Sequence, residues 1–355
     1  MDQMELFKEL TEALGISGYE ESVIAILKRH FSNHAEIIRD RLGSIIAKKP
    51  GSSERPRIMF AAHMDEIGFI VQEITKEGFI KFLPIGGWWT GNMPGMRVKV
   101  RNSKGEIIPG VIGLKPIHEL SPEERKKLPE IEHMYIDVGA TGTFHPREKL
   151  GIKPGDPIFP DGSLEKLANS DLLLAKAWDD RVGCALLVDL LNNMTAIEHP
   201  NTVYLTGTVQ EEVGIRGAHT AAFGIDPDIG FALDVSICRD TPGNPGEPVE
   251  KLGGGVGILI YDRTMIPHNR LKDFVCELAD LNSIPYHLTA IKGGYDTGAI
   301  HLTRFGVPSL AIGIPTRYIH SGSSIISLDD YENVLKLITL IVKNFNDEAM
   351  EQILK

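Results

Sequence analysis

The hydrophobic positions along the chain follow two rhythms. At the start, MELFKELTEALGI sets Leu6, Phe7, Leu10 and Leu14 at helical spacing with acidic residues between them. ESVIAILKRHF repeats that spacing, whereas RIMFAAH is the short unbroken apolar run of a buried strand. Helical and strand patterns alternate in this way up to about residue 69. From about 70 to 166 they give way to short alternating segments, GFIKFLPI, MRVKVRN and IIPGVIGL, parted by glycine, proline and an NSKG turn, which predicts a small all-β module. Within it, HELSPEERKKLPEIEH is dense in charge and reads as a surface excursion.

After Leu167 the first rhythm returns. DDRVGCALLVDLLNNM predicts a helix, TVYLTGTVQ, DIGFALDV and GVPSLAIGIP predict strands, and LDDYENVLKLITLIVKNF predicts a closing helix capped by Asp329 or a residue just before it. The alternation predicts an α/β fold, a mainly parallel central sheet flanked by helices. The β-rich stretch is then an insertion: 1–69 and 167–355 form one domain and 70–166 the other.

Composition narrows the class without changing the fold. The 355 residues are 42% hydrophobic and 24% charged, the ordinary soluble range, with a formal net charge of −11. That charge disfavours nucleic acid and anionic lipid as partners. No apolar run approaches the length of a membrane span. Cys184, Cys238 and Cys276 are odd in number and far apart, which suits inert buried thiols in a reducing compartment. Together with a start that does not resemble a secretion signal, this points to the cytoplasm.

Chemistry collects where the strands end. RIMFAAHMD delivers His63 and Asp65, TVYLTGTVQEE delivers Glu211 and Glu212, GFALDV delivers Asp234, and SLAIGIPTRYIH delivers His320. AKAWDDRVG adds Asp179 and Asp180 just before a helix. Singly, each has a plain explanation: a hydrogen-bonded structural histidine, a helix cap, a turn aspartate. Jointly, two histidines and at least three carboxylates converge on the edge where an open α/β sheet places its crevice. His30, His34, His133, His145 and His199 show no such convergence and read as surface residues.

Imidazole mixed with carboxylate suits zinc, and also cobalt or manganese. The ligand types exceed the three that one catalytic zinc uses, so two ions with one bridging carboxylate account for the surplus. In extended backbone Glu211 and Glu212 would point to opposite sides, so one ligates and the other is free to act as general base. Asp65, two residues beyond His63 on the same face, is placed to orient the imidazole.

The motifs AAHMDEIGF, AKAWDDRVGC, VQEEVGIRGAH, ALDV and TRYIHS, with GISGYE near the start and KGGYDTGAIHL, resemble the di-metal aminopeptidases that assemble as hollow tetrahedral particles. The glutamyl and deblocking aminopeptidases belong to that family. The resemblance implies that His63 and Asp234 hold one metal ion and Glu212 and His320 the other, with Asp179 bridging and Glu211 as the base. It implies that peptides with a free N-terminus are the substrates, and that the β-rich insertion is a small barrel-like dimerisation domain within a dodecamer. One departure is that the family's GGTD reads GGYD here, so Tyr295 either reshapes the substrate pocket or simply packs. Arg263 and Lys292 either favour acidic residues or are solvated. A di-metal carboxypeptidase or amide deacylase shares the same carbonyl chemistry. A metal-stabilised assembly protein is the reading from another class, and a spare carboxylate at the rim of the cluster argues against it.

Overall fold

The computed structural model describes residues 2–244 and 248–355. Strands β1 (Glu36–Arg39), β2 (Ile45–Lys49) and β3 (Arg57–His63) lead into six that close a barrel. These are β4 (Gly68–Ile74), β5 (Ile80–Ile85), β6 (Arg97–Arg101), β7 (Ile107–Gly113), β8 (Tyr135–Asp137) and β9 (Pro157–Pro160). The chain then returns to the main sheet as β10 (Glu165–Lys166), β11 (Leu172–Ala175), β12 (Thr202–Thr208), β13 (Ile229–Ile237), β14 (Val256–Tyr261), β15 (Tyr286–Ala290), β16 (Ser309–Arg317) and β17 (Ser324–Ser327).

That sheet has 11 strands, and its centre runs in the order β12-β3-β13-β16, all parallel. β1, β2, β10, β11 and β17 pair antiparallel on the two flanks, so the expected parallel sheet is the core of a mixed one. The uninterrupted apolar run of β3 follows from burial on both faces. Ile58, Phe60 and Ala62 pack into the larger core and Met59 and Ala61 into the smaller core on the opposite face, the period of two that a strand imposes. The long helix Trp178–Met194 lies against β3 and β13, covered in turn by the helices Gln3–Glu12 and Leu328–Asn344. Arg216–Ile225 covers the other face.

The barrel carries its own core, and β6 shows why: Val98 and Val100 point inward while Arg97, Lys99 and Arg101 stay outside it. The charged excursion inside the insertion is a run of exposed short 3-10 turns. No helix among the described residues is long and apolar enough to cross a membrane. The closing helix begins after Ser327 without a side-chain cap, so neither Asp329 nor a residue before it fills the expected role. Asp330 instead turns back to accept the Gly253 and Gly255 N–H groups at 2.8 and 2.7 Å.

Candidate active site

The carboxyl-end halves of β3, β12, β13 and β16 and the turns after them bring His63, Asp65, Glu211, Glu212, Asp234 and His320 to one place, and the start of the helix Trp178–Met194 adds Asp179. β3 stops at His63. Its ring Nδ1 lies 2.9 Å from the Asp65 backbone carbonyl, which can only accept, so Nδ1 carries a proton and Nε2 is the atom that meets either a proton shared with Asp179 or, once that proton leaves, a cation. His320, beyond β16, is held the same way, with Nδ1 donating to the Gly87 carbonyl at 2.7 Å. Both Nε2 atoms face one carboxylate from opposite ends. Asp179 Oδ1 is 3.1 Å from His63 and Asp179 Oδ2 is 3.5 Å from His320. Glu212 Oε2 stands 3.4 Å from His320 Nε2, and Asp234 Oδ2 and Glu211 Oε2 are 3.9 and 4.0 Å from His63 Nε2.

Asp180 is close enough to His63 and Asp234 to share an ion with them. Its oxygens are already engaged: Oδ2 accepts the His63 N–H at 3.0 Å, and Oδ1 accepts the Gly183 N–H at 3.1 Å. The plain helix-cap reading therefore describes Asp180, while Asp179 turns into the cluster.

Two expectations about local geometry change. Glu211 and Glu212 are not in extended backbone, because β12 ends at Thr208 and Gln210 turns the chain with φ 56°. Their separation comes from that turn, which sends one carboxylate towards His63 and the other towards His320. Asp65 also lies past the end of its strand, and it is the backbone carbonyl that orients the imidazole. Its carboxylate accepts the Glu211 and Glu212 N–H groups at 3.0 and 3.2 Å and the Ser17 hydroxyl at 2.6 Å.

The electrostatics follow from crowding acids out of water. Burial pushes the Glu211, Glu212 and Asp234 carboxyls well above their ordinary range, and neighbouring carboxylates add to it. Burial opposes charge on His63, yet Asp179, Asp234 and Glu211 outweigh it and raise the imidazole well above its usual value. Asp179 is held low against its burial by the hydrogen bond to His63.

Such a donor set fits divalent cations: two imidazoles with fixed tautomers, each facing carboxylate oxygens, surrounded by more negative charge than two imidazoles offset. Among the described residues, His63, Asp179 and Glu212 form one group with the reach to hold an ion, and His63, Asp180 and Asp234 another.

Outside the cluster, His199 is buried, its ring bonded to Asn201 rather than lying on the surface, and His30 and His145 are half-buried; none approaches the site. Cys276 is half-buried, unlike Cys184 and Cys238. Tyr295 packs: its hydroxyl donates to the Val235 carbonyl at 2.9 Å and its ring joins a small buried cluster. Arg263 and Lys292 are exposed. Gly87, Ser17, Glu20, Glu66 and Lys176 also support the site; all but Gly87 fall within the stretches GISGYE, AAHMDEIGF and AKAWDDRVGC, yet nothing in the sequence singles them out.

This arrangement on this fold is that of an aminopeptidase. The chain belongs to the M42 glutamyl aminopeptidase family, whose pattern it matches over residues 43–337. It is similar to the glutamyl aminopeptidase of Lactococcus lactis, at 36% identity over 99% of each chain. The structure of a TET aminopeptidase from a marine sediment Thaumarchaeota archaeon superposes with a TM-score of 0.94, at 45% identity over 99% of each chain. The TET1 peptidase of Pyrococcus horikoshii, described as assembling into a tetrahedron or a large octahedral shell, gives a TM-score of 0.86 at 32% identity, covering 97% of this chain and 100% of that one.

Proposed function

We propose that the chain removes N-terminal residues from short peptides using two divalent metal ions, zinc or cobalt, with manganese a third option. His63 and Asp234 would hold one ion and Glu212 and His320 the other, with Asp179, whose two oxygens face the two imidazoles, available to both. The observation that carries this reading is the pair of imidazoles with their Nδ1 protons donated to backbone carbonyls and their Nε2 atoms facing the two oxygens of Asp179. When bound, such ions supply Lewis-acid polarisation of a carbonyl and a lowered pKa for water.

The chain's own groups do the rest. Glu211, with Oε2 4.0 Å from His63 Nε2 and its N–H held by Asp65, takes the proton from the attacking water and returns it to the leaving amine. His320, with 37% of its side chain exposed, marks the open side where a peptide enters, whereas His63 is sealed at 2%. The free α-amino group binds in the acidic cluster, which restricts cleavage to the end of the chain.

A similar structure, PhTET1-12s, is described as a dodecamer, and in our reading this chain builds the same assembly with the barrel as its dimerisation domain. Activity tested on free and N-acetylated peptides, before and after chelation, with metal counted per chain, checks the reading. Equal turnover of the acetylated peptide points instead to a deacylase or carboxypeptidase. Full activity after complete metal removal overturns the metal-dependent chemistry. Sedimentation of the intact protein tests the assembly.

A further inference from the structure

Three consecutive backbone N–H groups at the turn carrying the glutamate pair all point at carboxylates. Gln210 donates to Glu20 Oε1 at 3.1 Å, Glu211 to Asp65 Oδ1 at 3.0 Å and Glu212 to Asp65 Oδ2 at 3.2 Å. Asp65 Oδ2 also receives the Ser17 hydroxyl at 2.6 Å. Ser17 and Glu20 belong to neither the sheet nor the barrel: they lie on the strap between the first two helices.

Residues flanking the site fix that strap. Arg181, two places after Asp179, donates to the carbonyls of Leu10, Ala13 and Gly15 at 2.6, 3.1 and 2.9 Å. Lys176 donates to Ala13 at 3.2 Å, and the Glu66 N–H to Gly15 at 2.9 Å. Gly68 admits the strap: a Cβ there would stand 2.3 Å from Ile16 Cγ2.

Asp65 is fully buried, so its carboxylate orientation is set only by the donors around it. Each oxygen holds one glutamate amide, and the Ser17 hydroxyl supplies an additional donor on Oδ2. Removing that hydroxyl takes away the shortest of the three bonds and leaves only the two glutamate amides to orient the carboxylate, so a rotation of the carboxylate shifts both amides together. We propose that Ser17 is a positioning residue for the Glu211–Glu212 pair, acting through Asp65. Glu20 performs the matching task for Gln210.

The proposal rests on the roles given above to Glu211 and Glu212, and a double-mutant cycle tests it. Ser17→Ala, Asp65→Asn and the double variant are compared by kcat and KM on a free aminoacyl amide. They are also compared by the cobalt concentration that half-saturates the chelated protein, followed by its visible spectrum. Ser17→Ala is expected to lower kcat by about tenfold with KM within about twofold, and to raise half-saturating cobalt by about tenfold. In the Asp65→Asn background the same change moves either quantity by less than about twofold. Equal factors in the two backgrounds overturn the proposal, as does a Ser17→Ala protein matching the parent in both readouts. If Asp65→Asn is inactive, the cobalt titration alone decides. Ser17→Cys, a weaker donor at the same place, carries the cycle if Ser17→Ala unfolds. Failure of the underlying reading looks different: turnover surviving Glu211→Gln removes the base but leaves the Ser17–Asp65 coupling in the cobalt titration.

Discussion

Lys176 Nζ and Glu66 Oε1 meet at 2.6 Å with neither side chain reaching solvent, and Arg181 approaches the same oxygen to 3.6 Å. Two cations thus share one anion directly beneath the site. Burial lowers the Lys176 pKa, and Glu66 partly restores it. The triad is asymmetric. Removing Glu66 strands two buried cations, whereas removing Lys176 leaves Glu66 with Arg181. Glu66→Ala should therefore cost about 3–5 kcal/mol of unfolding free energy, and Lys176→Met about 1–3. Urea denaturation of the two variants checks the order. A Lys176 variant less stable than the Glu66 variant contradicts it.

Glu211→Gln keeps the shape of the side chain and removes its capacity to take a proton. Its expected effect is a loss of about 10²- to 10⁴-fold in kcat with bound metal unchanged. Metal analysis alongside steady-state kinetics separates this outcome from a ligand defect, in which metal content falls with activity.

The legibility of this site in the sequence divides by mechanism. β3 and the helix Trp178–Met194 were readable because burial on both faces, or along a helix, leaves an uninterrupted or periodic apolar signature. The convergence of the seven candidate residues was readable because strands are, and the ends of four strands and the start of one helix were marked by acids and histidines. Ser17 and Glu20 were not, since a serine and a glutamate in a polar loop look alike whether they face water or a buried carboxylate. Lys176 hid for a related reason: nothing local reveals that its partner Glu66 comes from 110 residues earlier. The turn at Gln210 also escaped notice, because a left-handed residue other than glycine leaves no local mark.

Metal uptake should release protons. In the cation-free protein Glu211, Glu212 and Asp234 are pushed up by burial and mutual repulsion, and His63 is raised by its acidic neighbours, so the cluster binds protons more tightly than free carboxyls and imidazole do. A cation favours the deprotonated forms and displaces the protons. Calorimetric titration of chelated protein with zinc, in buffers of different ionisation enthalpy, should give an apparent enthalpy that changes with the buffer in the direction of proton release. The melting temperature should rise with free zinc in parallel. An enthalpy independent of buffer argues against the retained protons.

Asp330 offers a titration remote from the metal cluster. Burial raises its carboxyl from the ordinary 3.8 to about 6, against the Gly253 and Gly255 N–H groups that favour the charged form; Asp329 and Asp240 add to the rise. Between those two values the folded state binds more protons at this position than the unfolded state does. Stability from this group is therefore full below about 3.8 and is lost as pH rises through about 6. The slope is bounded by one proton, about 1.4 kcal/mol per pH unit. Asp330→Asn cannot titrate, so the stability of the parent minus that of the variant should fall as pH increases across this window and level off above about 7. Urea unfolding of both proteins at several pH values measures the difference directly. A difference that rises with pH would mean that the two glycine amides, rather than burial, set the ionisation of Asp330.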